Sequence, residues 1–246
     1  MNMKHLVKYS HSFSLLFWLF ACSAQQLLAN DVLHQADSLY SIHSYSEALR
    51  QYRQLQEKDH YLKHNFELNF KIAVCFLRND ELDSALQIFR QLQRNNRVLS
   101  EYVDYFLFLI AVKQEKSAAQ VQKIGNDFID RHANHFLADS ILFHLADFEF
   151  RHRQYTPAVK HYSMLLKKKS YANYLPFFQT RIAQSKLYSG EAEDARERLY
   201  QIMQLYPDSP EALDIALSFD NSEKLTEKLF FTIADVYLQN HQYTTL

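Results

Sequence analysis

Alanine recurs through this 246-residue chain at intervals that restrict what it can fold into. Ala48, Ala85, Ala119, Ala158 and Ala195 stand 37, 34, 39 and 37 residues apart. Around four of them the surroundings also repeat. A second small residue lies twelve positions upstream, at Ala36, Ala73, Ala146 and Ala183. An aromatic or aliphatic residue follows by four and an aliphatic one by seven: Tyr52 and Leu55, Phe89 and Leu92, Tyr162 and Leu165, Leu199 and Ile202. The i, i+4, i+7 set is one face of an α-helix. A small residue in each of two helices lets their backbones approach closely. Between Ala85 and Ala158 the pattern degenerates into a unit centred on Leu107 and Ala119. Self-similarity at this period means an array in which no single helix pair buries its face alone, so the pairs must stack.

Composition agrees. The chain has 2 glycines and 4 prolines, where average usage gives about 17 and 12. So few breakers cannot supply the turns of a many-stranded β protein, and Tyr 16 with Phe 19 argues against disorder. Gly125 and Gly190 stand alone, so no glycine-rich phosphate loop and no G-x-S-x-G elbow can be written. Gly190 falls in a turn between paired helices, where the other units place His43, Asp80 and Arg153; Gly125 has no such role. Ser44-Tyr45-Ser46-Glu47 reads as a capping box. Thr156-Pro157 and Ser209-Pro210 read as N-caps before a proline, and Asp80 as a cap for the helix beginning near Glu81.

These windows resemble tetratricopeptide repeats, most closely at Tyr45-Ser46-Glu47-Ala48-Leu49 and Tyr155-Thr156-Pro157-Ala158-Val159. Gly190, Ala195 and Pro207 occupy the turn and terminal positions of that motif. The family's usual first-helix Trp is absent, and the spacing drifts above its 34 residues. The resemblance spans residues 31–246. It implies an all-α, TPR-like α-solenoid of about twelve antiparallel helices stacked as a right-handed superhelix. Near the end, Phe230 to Leu238 reads as another first helix with Ala234 as its small residue, followed by the start of a second helix. Its apolar Phe230, Phe231, Val236 and Leu238 suggest a covering partner, or a chain that is the front part of a longer protein.

Residues 1–30 read as a signal peptide. Lys4 and Lys8 precede an apolar stretch of about ten residues, Ser12 to Ala21, too short to span a membrane. Leu19-Phe20-Ala21-Cys22 resembles a bacterial lipobox, which would make Cys22 a lipidated N-terminus, although Phe20 departs from that motif. Ordinary cleavage after Cys22-Ser23-Ala24 or Leu27-Leu28-Ala29 stays open. The expectation is export to the periplasm or the periplasmic face of an outer membrane.

Catalytic signals are weak. Cys75 sits in an apolar run and pairs with no Cys-x-x-Cys motif. His132, His135, His144, His152 and His161 read as surface residues at turns and exposed helix faces, and Glu191, Glu193 and Asp194 as a solvated face. Lys167-Lys168-Lys169 reads as a solvated helix end, and the net charge of −1 disfavours nucleic acid. No metal or cofactor site is expected. Tyr102 and Tyr105, and Tyr171 and Tyr174 beside Phe177 and Phe178, either fill space between helices or line a groove for a peptide or glycan.

Two functions follow. The first is a non-catalytic envelope scaffold that binds a protein, peptide or second copy of itself. Tyr206-Pro207-Asp208-Ser209-Pro210-Glu211-Ala212 is similar to junctions in outer-membrane assembly lipoproteins and Tol-Pal-associated periplasmic proteins. The second is the N-terminal superhelical part of a soluble lytic murein transglycosylase, which acts on peptidoglycan. That family's catalytic Glu-Ser motif is absent here, so such a part would have no activity of its own.

Overall fold

The computed structural model describes residues 31–95, 99–220 and 226–240. The signal segment with Cys22, and residues 241–246, lie outside them. Twelve α-helices and no strands occur among the described residues: α1 (31–41), α2 (Tyr45–Lys58), α3 (Phe66–Arg78), α4 (Leu82–Asn95), α5 (Ser100–Lys113), α6 (Ala118–Arg131), α7 (Phe136–Arg151), α8 (Tyr155–Leu165), α9 (Leu175–Tyr188), α10 (Ala192–Leu205), α11 (Pro210–Asp220) and α12 (Glu227–Gln239). None of these helices is long and apolar enough to cross a membrane. The chain forms two compact units, one ending at Gln114 and one beginning at Glu115.

In the first unit α1 to α5 pack around Ala36, Ala48, Tyr52, Ala73, Ala85 and Phe89, all without solvent exposure. In the second, Ala146, Ala158, Tyr162 and Phe178 form one cluster and Ala183, Leu199 and Ile202 belong to another. All eight alanines of the repeat are fully buried. Four of the turns between paired helices use one left-handed residue: His43 (φ 64°), Asp80 (65°), Arg153 (59°) and Gly190 (98°). Around each, the same two hydrogen bonds close the first helix. The left-handed residue donates to the carbonyl three back, as Asp80 N to Leu77 O at 3.3 Å, and the next residue to the carbonyl five back, as Glu81 N to Phe76 O at 2.9 Å. This is the Schellman closure, made here three times without glycine.

The degenerate unit has a different register from the one its alanines suggest. Ala119 is exposed, and the buried face of α6 is Val121, Gly125 and Phe128, again i, i+4, i+7. With Val121 in place of Ala119 the intervals become 37, 36, 37 and 37. The cause is the connection: the left-handed residue precedes the small one by five in the other pairs, but Glu115 (φ 48°) precedes Val121 by six. Gly125 therefore does have a register position, the one held elsewhere by Tyr52, Phe89, Tyr162 and Leu199. Phe108 takes the place of the first-helix alanine.

The helix at the end of the array also departs from expectation. Thr232 Oγ1 donates to Tyr200 OH (3.3 Å) and Asn240 Nδ2 to Pro207 O (2.8 Å). Both partners advance together, so α12 runs parallel to α10, as one second helix does to the next, and α11 is its first helix. Ala234 is only half-buried; Ile233, Val236 and Tyr237 form the packed face.

Of the expected caps, Ser209 holds, its Oγ accepting from Ala212 N at 3.1 Å. Ser44 instead donates to Glu47 Oε2 at 2.9 Å and caps no backbone amide. Helix α8 begins at Tyr155, so Thr156 lies inside it. Helix α4 begins at Leu82, and Asp80, in the turn before it, meets Lys113 Nζ at 2.9 Å.

Overpacking a close crossing typically costs about 1–3 kcal/mol. Ala85→Leu and Ala158→Leu should each lose that much and melt earlier, whereas Ala119→Leu should stay within about 0.5 kcal/mol of the parent. Denaturant unfolding of the three variants checks the register.

Candidate functional site

Three residue positions recur three repeats apart, and their two copies differ. Asp37, Tyr52 and Lys71 in the first unit correspond to Asp147, Tyr162 and Arg181 in the second, an offset of 110 in every case. In each set the acid follows the first-helix alanine directly, the tyrosine is the buried fourth residue of the second-helix face, and the base comes from the next first helix.

The first copy is closed. Tyr52 OH donates to Asp37 Oδ1 at 2.5 Å, and Lys71 Nζ meets the same oxygen at 2.9 Å and Glu67 Oε1 at 2.8 Å. Burial works against the ionised form of Asp37, but the hydrogen bonds from Tyr52 and Lys71 outweigh it and hold the carboxyl below its ordinary value. Burial, helped by the Asp37 carboxylate, pushes the Tyr52 phenol up.

The second copy is open. Asp147 Oδ2 is taken by Arg151 Nε on its own helix, at 2.9 Å. Tyr162 OH is buried with no hydrogen-bond partner, and so is Arg181 Nε. Burial, with Asp147 adding to it, raises the Tyr162 phenol. Arg181 lies between two rings, its guanidinium carbon 4.5 Å from the Phe150 centroid and 5.0 Å from that of Phe177, while Nη1 donates to Gln184 at 3.2 Å. Two donors that the first unit satisfies with a carboxylate are thus left without an acceptor.

Half-exposed aromatics surround this frame. Phe143 and Phe150 stand i, i+7 on α7; Phe177, Arg181, Gln184 and Tyr188 stand i, i+4, i+7, i+11 on α9. Phe143 stacks on Phe177 at 6.0 Å and on Tyr171 at 6.3 Å, and Tyr174 meets it edge-on at 6.1 Å. Tyr188 lies 5.4 Å from Tyr155 and 6.3 Å from Phe150. The structure therefore brings Tyr171 and Tyr174 into one cluster that packs between α7 and α9 and leaves Tyr174 half-exposed. Tyr102 and Tyr105 belong to the first unit and are half-buried, Tyr105 against Phe106. Tyr162 was legible as a packing residue; Asp147 and Arg181 were not singled out, though their 110-residue offset from Asp37 and Lys71 is visible in the sequence.

His161 is not on an exposed face. It is 4% exposed, and its Nδ1 lies 2.7 Å from Oε2 of the fully buried Glu149, whose Oε1 accepts from Gln122 Nε2 at 3.0 Å. The triad ties α6, α7 and α8 together inside the second unit. Among the described residues no group of histidines, cysteines and acids could hold a metal. Burial pushes the Cys75 thiol up to about 12, which keeps it from acting as a nucleophile.

Residues 33–97 and residues 179–209 match tetratricopeptide-repeat families. No curated protein matches the chain. Among solved structures, the C-terminal part of a TPR repeat-containing protein from Cytophaga hutchinsonii superposes with a TM-score of 0.63 at 14% identity, over 84% of this chain and 79% of that one. MamA from Desulfovibrio magneticus RS-1 gives 0.58 at 11% identity, over 74% and 97%. YrrB, a TPR protein with an unusual peptide-binding site, gives 0.56 at 15% identity, over 74% and 89%. At these identities the likeness is one of fold.

The two tyrosines should respond oppositely to loss of the hydroxyl. Tyr52→Phe removes one of the two donors on the Asp37 carboxylate and should cost about 1–2 kcal/mol at neutral pH. Because the folded-state value of Asp37 is depressed, its contribution is present above the ordinary carboxylate range and lost as the pH falls through the folded value. Tyr52→Phe should therefore flatten the acid limb of the stability profile. Tyr162→Phe removes a hydroxyl that bonds to nothing, and should be neutral or stabilising by calorimetry. Glu149→Ala, which leaves the buried His161 without its hydrogen-bond partner, should lose about 1–3 kcal/mol, and Glu149→Leu with His161→Leu should recover most of it.

Proposed function

We propose that this chain, a member of the tetratricopeptide-repeat superfamily, is a non-catalytic scaffold exported to the bacterial cell envelope, where the second unit holds another polypeptide. The TPR fold supports protein–protein interaction, and the open Asp147–Tyr162–Arg181 frame carries the choice of face. Tyr162 OH and Arg181 Nε are buried, but the Arg181 side chain as a whole is only partly buried, and its guanidinium between Phe150 and Phe177 offers a charged donor to a partner's acceptor. The aromatics Phe143, Phe150, Phe177 and Tyr188 around the frame supply apolar area and rigid rings of the kind that anchor interfaces. The carboxylate of Asp37 in the closed copy indicates the acceptor that suits such a frame: an acidic side chain or a backbone carbonyl of an extended segment. YrrB, with the same fold, has a peptide-binding site. Export rests on the cationic start and the short apolar stretch of the first thirty residues.

A photo-crosslinking residue in place of Tyr188, in the full chain expressed in a Gram-negative host, tests both parts. Expected is one dominant adduct in the periplasmic or outer-membrane fraction, reduced at least tenfold by Arg181→Ala and restored in part by Arg181→Lys. Adducts that persist unchanged in Arg181→Ala would remove the frame from the interface. Recovery of the chain solely from the cytosol would remove the envelope.

A further inference from the structure

We infer that the junction edge of the second unit, built by the α6–α7 turn and the α8–α9 connection, docks on an anionic lipid surface. Helix α8 ends at Leu165, and the chain then runs Leu166-Lys167-Lys168-Lys169 into a short 3-10 turn, Lys169–Tyr174. Residues 131–136 and 166–174 together hold Arg131 and three lysines and contain no acid, with Asp130 and Asp139 flanking the first segment, in a chain whose net charge is −1. Lys168 Nζ meets Asp139 Oδ1 on the first turn of α7 at 2.8 Å, which joins the two segments at one end of the unit. Lys167 and Lys169 are exposed on either side of it.

The same edge exposes large rings. Phe136 is 67% exposed, with His135 stacked on it at 4.6 Å, and Tyr174 is 50% exposed above Phe143 and Phe178. Exposed rings beside lysines on long flexible stems suit the boundary between headgroups and acyl chains. Aromatic rings partition there, and lysine stems reach outward to lipid phosphates. The feature recurs in the first unit on its own: Tyr61 (88% exposed) and Leu99 stand at its two corresponding junctions. Tyr61, Leu99, Phe136 and Tyr174 follow one another at intervals of 38, 37 and 38 residues, one per helix pair. Packing within a pair does not require an exposed apolar residue at each junction.

The full chain, mixed with vesicles of phosphatidylglycerol and phosphatidylcholine or of phosphatidylcholine alone, tests this by co-sedimentation. The apolar stretch of the first thirty residues is present in every arm, so the readout is the excess binding to the anionic vesicles. Each basic residue near such a surface contributes about fivefold. Lys167→Gln with Lys169→Gln, which spares the Lys168–Asp139 pair, should reduce that excess about 25-fold, and Phe136→Ser about tenfold, with unchanged helical circular dichroism. High salt should abolish it. Equal binding to both vesicle types, or an excess that survives the double lysine variant, would overturn the inference. So would a Phe136→Ser variant that binds as well as the parent, which would mark the edge as a generic polyanion patch.

Discussion

The close crossing of paired helices at alanine is the constraint from which the rest follows. A residue with a single methyl group at both Ala73 and Ala85, or Ala146 and Ala158, lets two backbones meet at a distance no larger side chain permits. The aromatic or aliphatic residue four positions on then fills the space beside the crossing. Repeating this in four of the pairs sets where their turns must fall and which face of each helix is left for the next pair. The left-handed turns are a consequence. The chain must reverse seven residues after the first alanine, and it does so at His43, Asp80 and Arg153 despite the strain that a side chain meets there.

A scaffold so regular leaves variation to positions outside the crossing, and this is where function enters. The same frame carries Asp37, Tyr52 and Lys71 in one unit and Asp147, Tyr162 and Arg181 in the other. In the first the acid turns inward and the set is self-satisfied. In the second Arg151 draws the acid away, and two donors remain. One copy stabilises the fold; the other holds hydrogen-bonding capacity that the fold does not use. Within the second unit the frame runs across α7, α8 and α9 and the lysine-rich junction lies at the N-terminal ends of α7 and α9. The two adjoin where Tyr174 meets Phe143 at 6.1 Å.

Much of this was legible in the sequence. The eight alanines, the helical character, and His43, Asp80, Arg153 and Gly190 as turn residues could be read from spacing alone, because each is a local consequence of the period. What escaped depended on length differences or on contacts between distant positions. Ala119 was misleading because the connection before α6 carries one extra residue and shifts the buried face to Val121. His161 looked like a surface residue because its partner, Glu149, lies twelve positions away on another helix, and neither residue's neighbours announce burial. The direction of α12 rests on contacts to Tyr200 and Pro207, more than thirty residues earlier. Ser44 matches a capping box in sequence, but its hydroxyl goes to Glu47.

Residue-resolved native-state amide exchange tests the register that underlies the whole account. The slowest amides should cluster in the second helices around 48–55, 85–92, 121–128, 158–165 and 195–202, with Val121 and Gly125 protected and Ala119 exchanging quickly. Strong protection at Ala119 with rapid exchange at Gly125 and Phe128 would contradict it.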